Sequence, residues 1–155
     1  MIVTLVLLSE ALRALYVGDA DRARALLRPD AELTIFDAAA FGRIDRLRSL
    51  LDSNPRGANQ VSEDGFTALH LAVFGKQEEA VRVLIEHGAD LDRVSSASFA
   101  QVTPLGTAAF VRSVPLARIL LEAGADPFAG AESAISTAQE NGDQELIDLL
   151  GSYGA

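Results

Sequence analysis

The apolar residues of this chain recur at the spacing of short amphipathic helices. Intervals of one, three and four residues place side chains on one face of a helix. Four segments show the pattern: Leu47, Leu50 and Leu51; Val81, Leu84 and Ile85; Leu116, Ile119 and Leu120; Leu146, Ile147 and Leu150. A helical hairpin this short cannot bury its own apolar face, so the pattern predicts that neighbouring hairpins stack.

A second periodicity groups these helices into repeated units. The sequence Thr67-Ala-Leu-His-Leu-Ala matches Thr103-Pro-Leu-Gly-Thr-Ala, and Glu86-His-Gly-Ala-Asp matches Glu122-Ala-Gly-Ala-Asp. In both copies, 21 positions separate the Thr from the Gly. The same interval recurs less clearly in three other segments: Ser9 to Asp30, Leu33 to Asn54 and Ser133 to Gly154. We therefore expect five related units.

Hydroxyl residues and small residues predict where the helices begin and end. A hydroxyl can accept hydrogen bonds from the free N–H groups of a helix start, whereas Gly and Asn tolerate the left-handed backbone of a helix end. The units begin at Ser9, Leu33, Thr67, Thr103 and Ser133. Their first helices break at Gly18, Gly42, Gly75 or Gly142, and their second helices end at Asn54, Gly88, Gly124 or Gly154. Each unit is therefore predicted to be a helix–turn–helix.

The two central segments, TALHLAVFGKQEEAVRVLIEHGAD (67–90) and TPLGTAAFVRSVPLARILLEAGAD (103–126), resemble ankyrin repeats. The resemblance weakens towards both ends of the chain. It implies an all-α ankyrin repeat solenoid of stacked helix-turn-helix units with short β-hairpin fingers, in a non-enzymatic protein that binds or scaffolds other proteins. Four positions depart from the family pattern: Phe36 and Gly106 replace the usual His, and Lys76 and Arg112 replace the usual Gly.

A tetratricopeptide array is the competing α-hairpin fold. Its strict period of about 34 residues and its longer helices fit less well, because the first helix is short here and both strong units end in Gly-Ala-Asp. We therefore expect a single ankyrin repeat domain over residues 1–155. Its predicted parts are an N-terminal capping helix pair at 4–28, repeats at about 32–63, 64–99 and 100–129, and a C-terminal capping repeat at 130–155.

The resemblance implies that the fingers and first helices form a concave groove that grips another protein. The connections 55–66 and 89–102 are long enough for fingers, and the first contains Asp64-Gly65, a standard turn pair. Four first helices end with an aromatic residue, which favours a binding surface, although such spacing is also typical of rings buried between repeats. The predicted partner-binding residues are Tyr16, Phe41, Phe66, Phe74, Phe99, Phe110 and Arg112.

Composition limits the chemistry that the chain can perform. The chain has no Cys, which excludes disulfides, thiol catalysis and zinc sites with Cys ligands. His70 and His87 are its two His, their separation of 17 residues matches no zinc motif, and no glycine-rich phosphate loop occurs. We expect no metal, no cofactor and no catalytic residue. A hydrolase that uses His70 is a less favoured alternative, because the resemblance implies that His70 bonds to Thr67 within its own turn.

The net charge of −9 makes nucleic acid and anionic membranes poor partners. The charge is uneven: residues 1–62 hold eight Arg and eight acidic residues, whereas residues 63–155 hold five basic and fourteen acidic residues. We interpret the acidic surplus as a solvated surface. Arg accounts for twelve of the thirteen basic residues, which suggests a bacterial source.

The first eight residues, MIVTLVLL, are apolar but lack the basic start of an export signal and the length of a membrane span. Because Leu5, Leu8, Leu12 and Leu15 follow helical spacing, we expect this segment to extend the first helix. Pairing of the segment with its copy in a second chain would make the protein a self-associating structural module, which is the alternative function. We expect a cytoplasmic protein that is a monomer or a weak homodimer.

Overall fold

The computed structural model of this protein describes residues 9–130 and 133–154. Ten α-helices in these residues form five successive pairs, as the repeat pattern predicts. Their bounds are α1 (Glu10–Tyr16), α2 (Ala20–Leu26), α3 (Ile35–Ala40), α4 (Ile44–Ser53), α5 (Ala68–Phe74), α6 (Glu78–Glu86), α7 (Pro104–Phe110), α8 (Val114–Glu122), α9 (Ala134–Asn141) and α10 (Gln144–Gly154). Each first helix packs against the first helix of the next pair, so the pairs stack into a solenoid.

A hydroxyl side chain begins the first helix of every pair. In each case its oxygen accepts a hydrogen bond from the backbone N–H three residues later, which satisfies one of the free donors of the helix start. The capping residues are Ser9, Thr34, Thr67, Thr103 and Ser133. The sequence predicts four of these five caps.

The second unit begins at Thr34 and not at Leu33, so that prediction is wrong. The Thr34 hydroxyl accepts from the backbone N–H of Asp37, and the Asp37 carboxylate accepts from the N–H of Thr34. Leu33 has no polar side chain to offer and is buried instead. The residue at the usual His position is therefore Asp37 rather than Phe36, and Ser9 of the preceding unit donates a 2.5 Å hydrogen bond to it.

Alanine occupies the same buried position in all five units. It is the fifth residue after each cap, and its exposed fraction is 6% or less throughout. The residues are Ala14, Ala39, Ala72, Ala108 and Ala138. A methyl group at this position fills the space between successive first helices and still lets their backbones approach closely.

The turn inside each helix pair contains one residue with a left-handed backbone. Glycine supplies it in three units, at Gly18, Gly42 and Gly142. α5 ends at Gly75, as predicted, but Gly75 has a φ of −76°, and the left-handed residue of this turn is Lys76, with a φ of 57°. Arg112 takes the same conformation in the next unit, with a φ of 56°. A left-handed backbone costs a residue with a Cβ about 1 to 2 kcal/mol.

Gly75 is needed because two backbones approach closely beside it. A Cβ added to Gly75 would lie 2.0 Å from the carbonyl oxygen of Ala40 in the preceding unit. The corresponding residues of three other units are Val17, Val111 and Asn141, which all carry side chains. The requirement for Gly at this position therefore comes from the contact between the second and third units.

Two second helices end at the predicted residues but without a left-handed backbone. Gly88 and Gly124 are left-handed as expected, with φ values of 83° and 109°. Asn54 has a φ of −143° instead, because it precedes Pro55, which disfavours helical backbone before it and opens a 3₁₀ turn over Pro55–Asn59. Gly154 is the last helical residue of α10 and does not follow it as a left-handed cap.

Both predicted fingers are present, but in the described residues each holds an isolated β-bridge and no strand ladder. Finger 1 (55–66) bridges Val61 to Thr67. Finger 2 (89–102) is ordered by the buried side chain of Ser95, whose hydroxyl donates to the carbonyl of Ala100 at 2.7 Å and accepts from the N–H of Val102 at 3.0 Å. Finger 2 therefore has a defined conformation.

Side-chain hydrogen bonds also join each finger to the segment that follows the second helix of the next unit. Asn59 donates to the carbonyl of Gly88 at 3.1 Å and accepts from the N–H of Asp90 at 2.7 Å. One unit later, the Asp92 carboxylate accepts from the N–H of Asp126 at 2.8 Å. The units are thus linked by polar contacts at the fingers as well as by the helices.

The proposed domain boundaries stay a prediction. The segment Met1–Leu8, which we expect either to extend the first helix or to pair between chains, lies outside the described residues. Among residues 9–130 and 133–154, no helix has the length and apolar character needed to cross a membrane.

We expect Gly75→Ala to destabilise the protein by about 3 kcal/mol, because the added Cβ clashes with the carbonyl oxygen of Ala40. Urea denaturation followed by circular dichroism measures the change. Gly151→Ala in α10 is the matched control, since an added Cβ meets nothing within 4 Å there. It is expected to leave stability unchanged or raise it by about 0.5 kcal/mol. Equal effects of the two variants would contradict the close approach.

Candidate functional site

An open groove of about 390 Å³ runs along the first helices and the two fingers. We call it the aromatic groove because five aromatic side chains contribute to its lining. Its residues are Tyr16, Phe66, His70, Leu71, Phe74, Phe99, Ala100, Val102, Gly106, Thr107, Phe110, Thr137 and Glu140. Five of the seven predicted partner-binding residues therefore meet on one surface.

The capping register explains how the helices build this surface. Residues four and seven positions after a cap lie three apart and share one face of the helix. In the last three units these residues line the groove: Leu71 and Phe74, Thr107 and Phe110, Thr137 and Glu140. Leu71, Thr107 and Thr137 are not among the predicted binding residues, although Leu71 and Thr107 lie three residues before Phe74 and Phe110, which are.

The aromatic rings join parts of the chain that are far apart in sequence. Tyr16 of α1 meets Phe74 of α5 and Phe66 of finger 1 edge to face, with ring centroids 5.5 Å and 6.3 Å apart. Phe66 also packs against Phe99 of finger 2 at 5.7 Å. Such pairs contribute about 0.5 to 1.5 kcal/mol each beyond their buried area. The cluster therefore holds the two fingers against the first helices.

The rings differ in exposure. Phe66 is 8% exposed and fills the space between units, and Tyr16 and Phe74 are half-buried. In contrast, Phe99 is 72% exposed and Phe110 is 66% exposed. These two rings border the groove from finger 2 and from the end of α7, so both present apolar area to an incoming molecule.

Two predicted site residues lie away from the groove. Phe41 also follows its corrected cap, Thr34, by seven residues, but it is half-buried and packs against the core of the second unit. Arg112 lies in the turn between α7 and α8 and lines a different cleft on the second helices. The structure therefore separates Arg112 from the aromatic residues with which the sequence grouped it.

Tyr16 forms the longest-range polar contact of the groove. Its hydroxyl donates a 2.7 Å hydrogen bond to the carboxylate of Asp64 at the turn of finger 1, 48 residues away. Ser62 donates to the other oxygen of the same carboxylate. Burial raises the pKa of Tyr16 above its usual value of 10.0, and the hydrogen bond to Asp64 and the negative charges of Asp64 and Asp37 raise it further. The protonated phenol therefore fixes finger 1 to α1.

His70 is a buried structural residue whose two ring nitrogens are both engaged. Nδ1 accepts from the backbone N–H of Thr67 at 3.3 Å and lies 2.8 Å from the Thr67 hydroxyl. Nε2 therefore carries the proton and donates to the carbonyl of Val102 at 2.8 Å. Burial lowers the pKa of His70 below 6.5, which favours the neutral ring. With both nitrogens occupied, His70 has no free position from which to act as a base.

The other His is engaged in a similar way. Nδ1 of His87 lies 2.8 Å from the carbonyl of Val83 in its own helix, and Nε2 lies 3.6 Å from the carboxylate of Asp52. Within the described part of the chain, no group of three or more His, Asp or Glu side chains is arranged to hold a metal ion.

The family follows from comparison with known proteins. A family model for ankyrin repeats, built from three copies, matches residues 12–131. The chain belongs to the ankyrin repeat family. Ankyrin repeats are generally modules for protein–protein interaction and generally have no enzymatic activity. The resemblance seen in the two central units is therefore confirmed over most of the chain.

Relatives show the same repeats within much longer proteins. The chain is 32% identical over 121 residues to ankyrin repeat protein nuc-2 of Neurospora crassa, across 76% of this chain and 11% of that protein. It is 33% identical over 130 residues to ankyrin repeat and SAM domain-containing protein 6 of Mus musculus, across 81% of this chain and 14% of that protein. It is 36% identical over 61 residues to palmitoyltransferase akr1 of Schizosaccharomyces pombe, across 39% of this chain and 10% of that protein. This chain thus spans about a seventh or less of the length of these relatives.

We expect His70→Ala to destabilise the protein by about 2 to 4 kcal/mol at pH 7.5, because the carbonyl of Val102 and the N–H of Thr67 lose their partner. The variant also removes a pH dependence. The folded pKa is lowered, so the unfolded chain binds the proton first, and wild-type stability decreases as the pH falls below 6.5. The slope reaches about 1.4 kcal/mol per pH unit. Urea denaturation between pH 7.5 and 5 measures both effects, with His87→Ala as the control. Equal slopes in wild type and His70→Ala would contradict this role.

We expect Tyr16→Phe to cost about 1 to 3 kcal/mol, because Asp64 loses a hydrogen bond to its charged carboxylate. A double-mutant cycle with Asp64→Asn isolates the pair, and removal of the exposed hydroxyl by Tyr153→Phe serves as the control. Since the folded pKa of Tyr16 is raised, its stabilisation is present below pH 10 and is lost as the pH rises above it. In urea denaturation above pH 10, Tyr16→Phe should therefore not show this loss of stability. If the changes in stability caused by Tyr16→Phe and Asp64→Asn simply add in the double variant, the contact is contradicted.

Proposed function

We propose that this protein is a non-catalytic binding or scaffolding module that holds a segment of another protein in the aromatic groove. The exposure of Phe99 and Phe110 beside one apolar groove is the observation that carries the proposal. Complete burial of a Phe side chain stabilises a complex by about 1.5 to 3 kcal/mol. Two such rings therefore supply a substantial part of a micromolar affinity, which corresponds to about 8 kcal/mol.

The lining also indicates the chemistry of the bound segment. Among the described residues of the groove, Glu140 is the one with a formal charge at pH 7, because His70 is neutral. The proposed occupant is a segment with an apolar or aromatic anchor between Phe99 and Phe110, followed by a basic residue that reaches Glu140.

The fixed geometry of the groove supports binding without rearrangement. The Tyr16 contacts and the hydroxyl of Ser95 hold both fingers in place. The proposed compartment is the cytoplasm, an expectation that rests on sequence composition. The partners of the longer relatives are not assigned to this chain, which covers a small share of their length.

The experiment that tests this function places a photo-cross-linking amino acid at position 99 or 110 and identifies the captured protein from the source cell. The purified partner is then titrated against wild type and Phe99→Ala/Phe110→Ala by calorimetry. We expect the double variant to weaken binding at least 30-fold. Because both rings are largely exposed, its loss of stability should stay within the contribution of the Phe66–Phe99 pair, about 0.5 to 1.5 kcal/mol.

Phe128→Ala is the matched control, because Phe128 is 57% exposed but does not line the groove. It should bind the partner with wild-type affinity. The proposal fails if Phe128→Ala weakens binding as much as the double variant, or if the double variant binds normally.

A further inference from the structure

The basic residues of the acidic half of the chain occupy two repeated positions. Lys76 and Arg112 both follow their caps by nine residues, and Arg82 and Arg118 both follow them by fifteen. These four make up most of the five basic residues in 63–155. Two adjacent units therefore present the same pair of cations on the same parts of the fold.

Three of these side chains line one cleft on the side of the second helices. Arg82 of α6, Arg118 of α8 and Arg112 of the α7–α8 turn border an open space of about 560 Å³. We call this space the arginine cleft. Its other lining residues are Glu78, Val114, Pro115, Ile119, Glu122 and Glu145. It shares no lining residue with the aromatic groove, so the two surfaces are separate.

The guanidinium groups of the cleft are available to a ligand. In the described residues, no hydrogen bond or ion pair engages the side chain of Arg82, Arg112 or Arg118, although three glutamates line the same cleft. This differs from Arg48 of the second unit, which pairs with Glu86 at 3.5 Å. Three cations therefore face one open space without a carboxylate at ion-pair distance.

The backbone of Arg112 adds a second observation. Its φ of 56° is left-handed, a conformation that Gly18 and Gly142 supply at the same distance from the caps of the outer units. Arginine there costs about 1 to 2 kcal/mol relative to a residue without a Cβ. Strain of this kind is characteristic of functional positions. Lys76 has the same backbone conformation in the preceding unit, but of these two residues only Arg112 lines the cleft.

The composition of the cleft indicates what it binds. A guanidinium group binds the two oxygens of a carboxylate or phosphate as a planar fork. Val114 and Pro115 supply an apolar surface beside the cations, whereas Glu78, Glu122 and Glu145 repel an extended polyanion such as nucleic acid. We propose that the arginine cleft binds a single oxyanion group, a carboxylate or a phosphate monoester, on a protein segment that places an apolar residue next to it.

The test uses inorganic phosphate and two short peptides that are identical except for phosphoserine or glutamate beside a Leu. Nuclear magnetic resonance of the arginine Nε–H groups reports which side chains respond. We expect the signals of Arg82, Arg112 and Arg118 to shift on addition of each probe, and those of Arg22 and Arg56 to stay in place. The peptide that binds more tightly identifies the natural group as phosphate or carboxylate.

Arg112→Gly is the most informative variant, because it removes the cation and relieves the left-handed strain, so the fold is retained or stabilised. It should weaken peptide binding at least 10-fold, and Arg118→Gln should act in the same direction. Arg56→Gln is the matched control. Phe99→Ala/Phe110→Ala should bind these peptides as wild type does, which distinguishes failure of the groove from failure of the cleft. Normal binding by Arg112→Gly, or equal shifts at all Arg residues, would overturn the proposal.

Discussion

The close packing of successive first helices is the constraint on which the rest of this structure depends. These helices are six to eight residues long, which is too short for stability in water without neighbours. The alanine five positions after each cap lets one helix lie directly against the next. The same approach requires Gly75 and places successive aromatic residues on one face. Stability, turn composition and the groove therefore share one physical origin.

Local signals in the sequence predict most of the fold. Hydroxyl caps, glycines at helix ends and helical spacing act over a few residues, so the pattern predicts five helix pairs, whereas the two fingers are expected from the resemblance to ankyrin repeats. The predicted start of the second unit is wrong because the 21-residue interval points to Leu33. The cap instead depends on a hydroxyl, which Thr34 has and Leu33 lacks. The sequence predicts that α5 ends at Gly75 but not why that position requires Gly, because the contact with Ala40 comes from another unit.

The candidate site is harder to predict because exposure depends on residues far along the chain. Tyr16, Phe41, Phe74 and Phe110 follow their caps by the same number of residues, yet only Phe110 is largely exposed. Tyr16 and Phe74 are covered because they contact each other and because finger 1 supplies Phe66 and Asp64. No local pattern encodes these contacts. The equivalent basic residues of the two central units, in contrast, can be found from the sequence, because counting from each cap places them at the same positions.

The groove and the cleft give the solenoid two chemically different surfaces. One is apolar and lies along the first helices and fingers, and the other carries cations and lies along the second helices. A solenoid can vary these surfaces independently, because each helix of a pair contributes to one of them. A protein with a net charge of −9 can thus offer arginine side chains on one of its surfaces.

The buried hydroxyl of Ser95 has a consequence for the entropy of binding. Its two hydrogen bonds fix the conformation of finger 2 and hold the backbone on both sides of Phe99. A loop that is ordered before its partner arrives loses little conformational freedom on association, whereas a flexible loop loses more with each residue that it immobilises. One serine inside the finger therefore shifts the entropic cost of presenting Phe99 from the binding step to the folding of the protein.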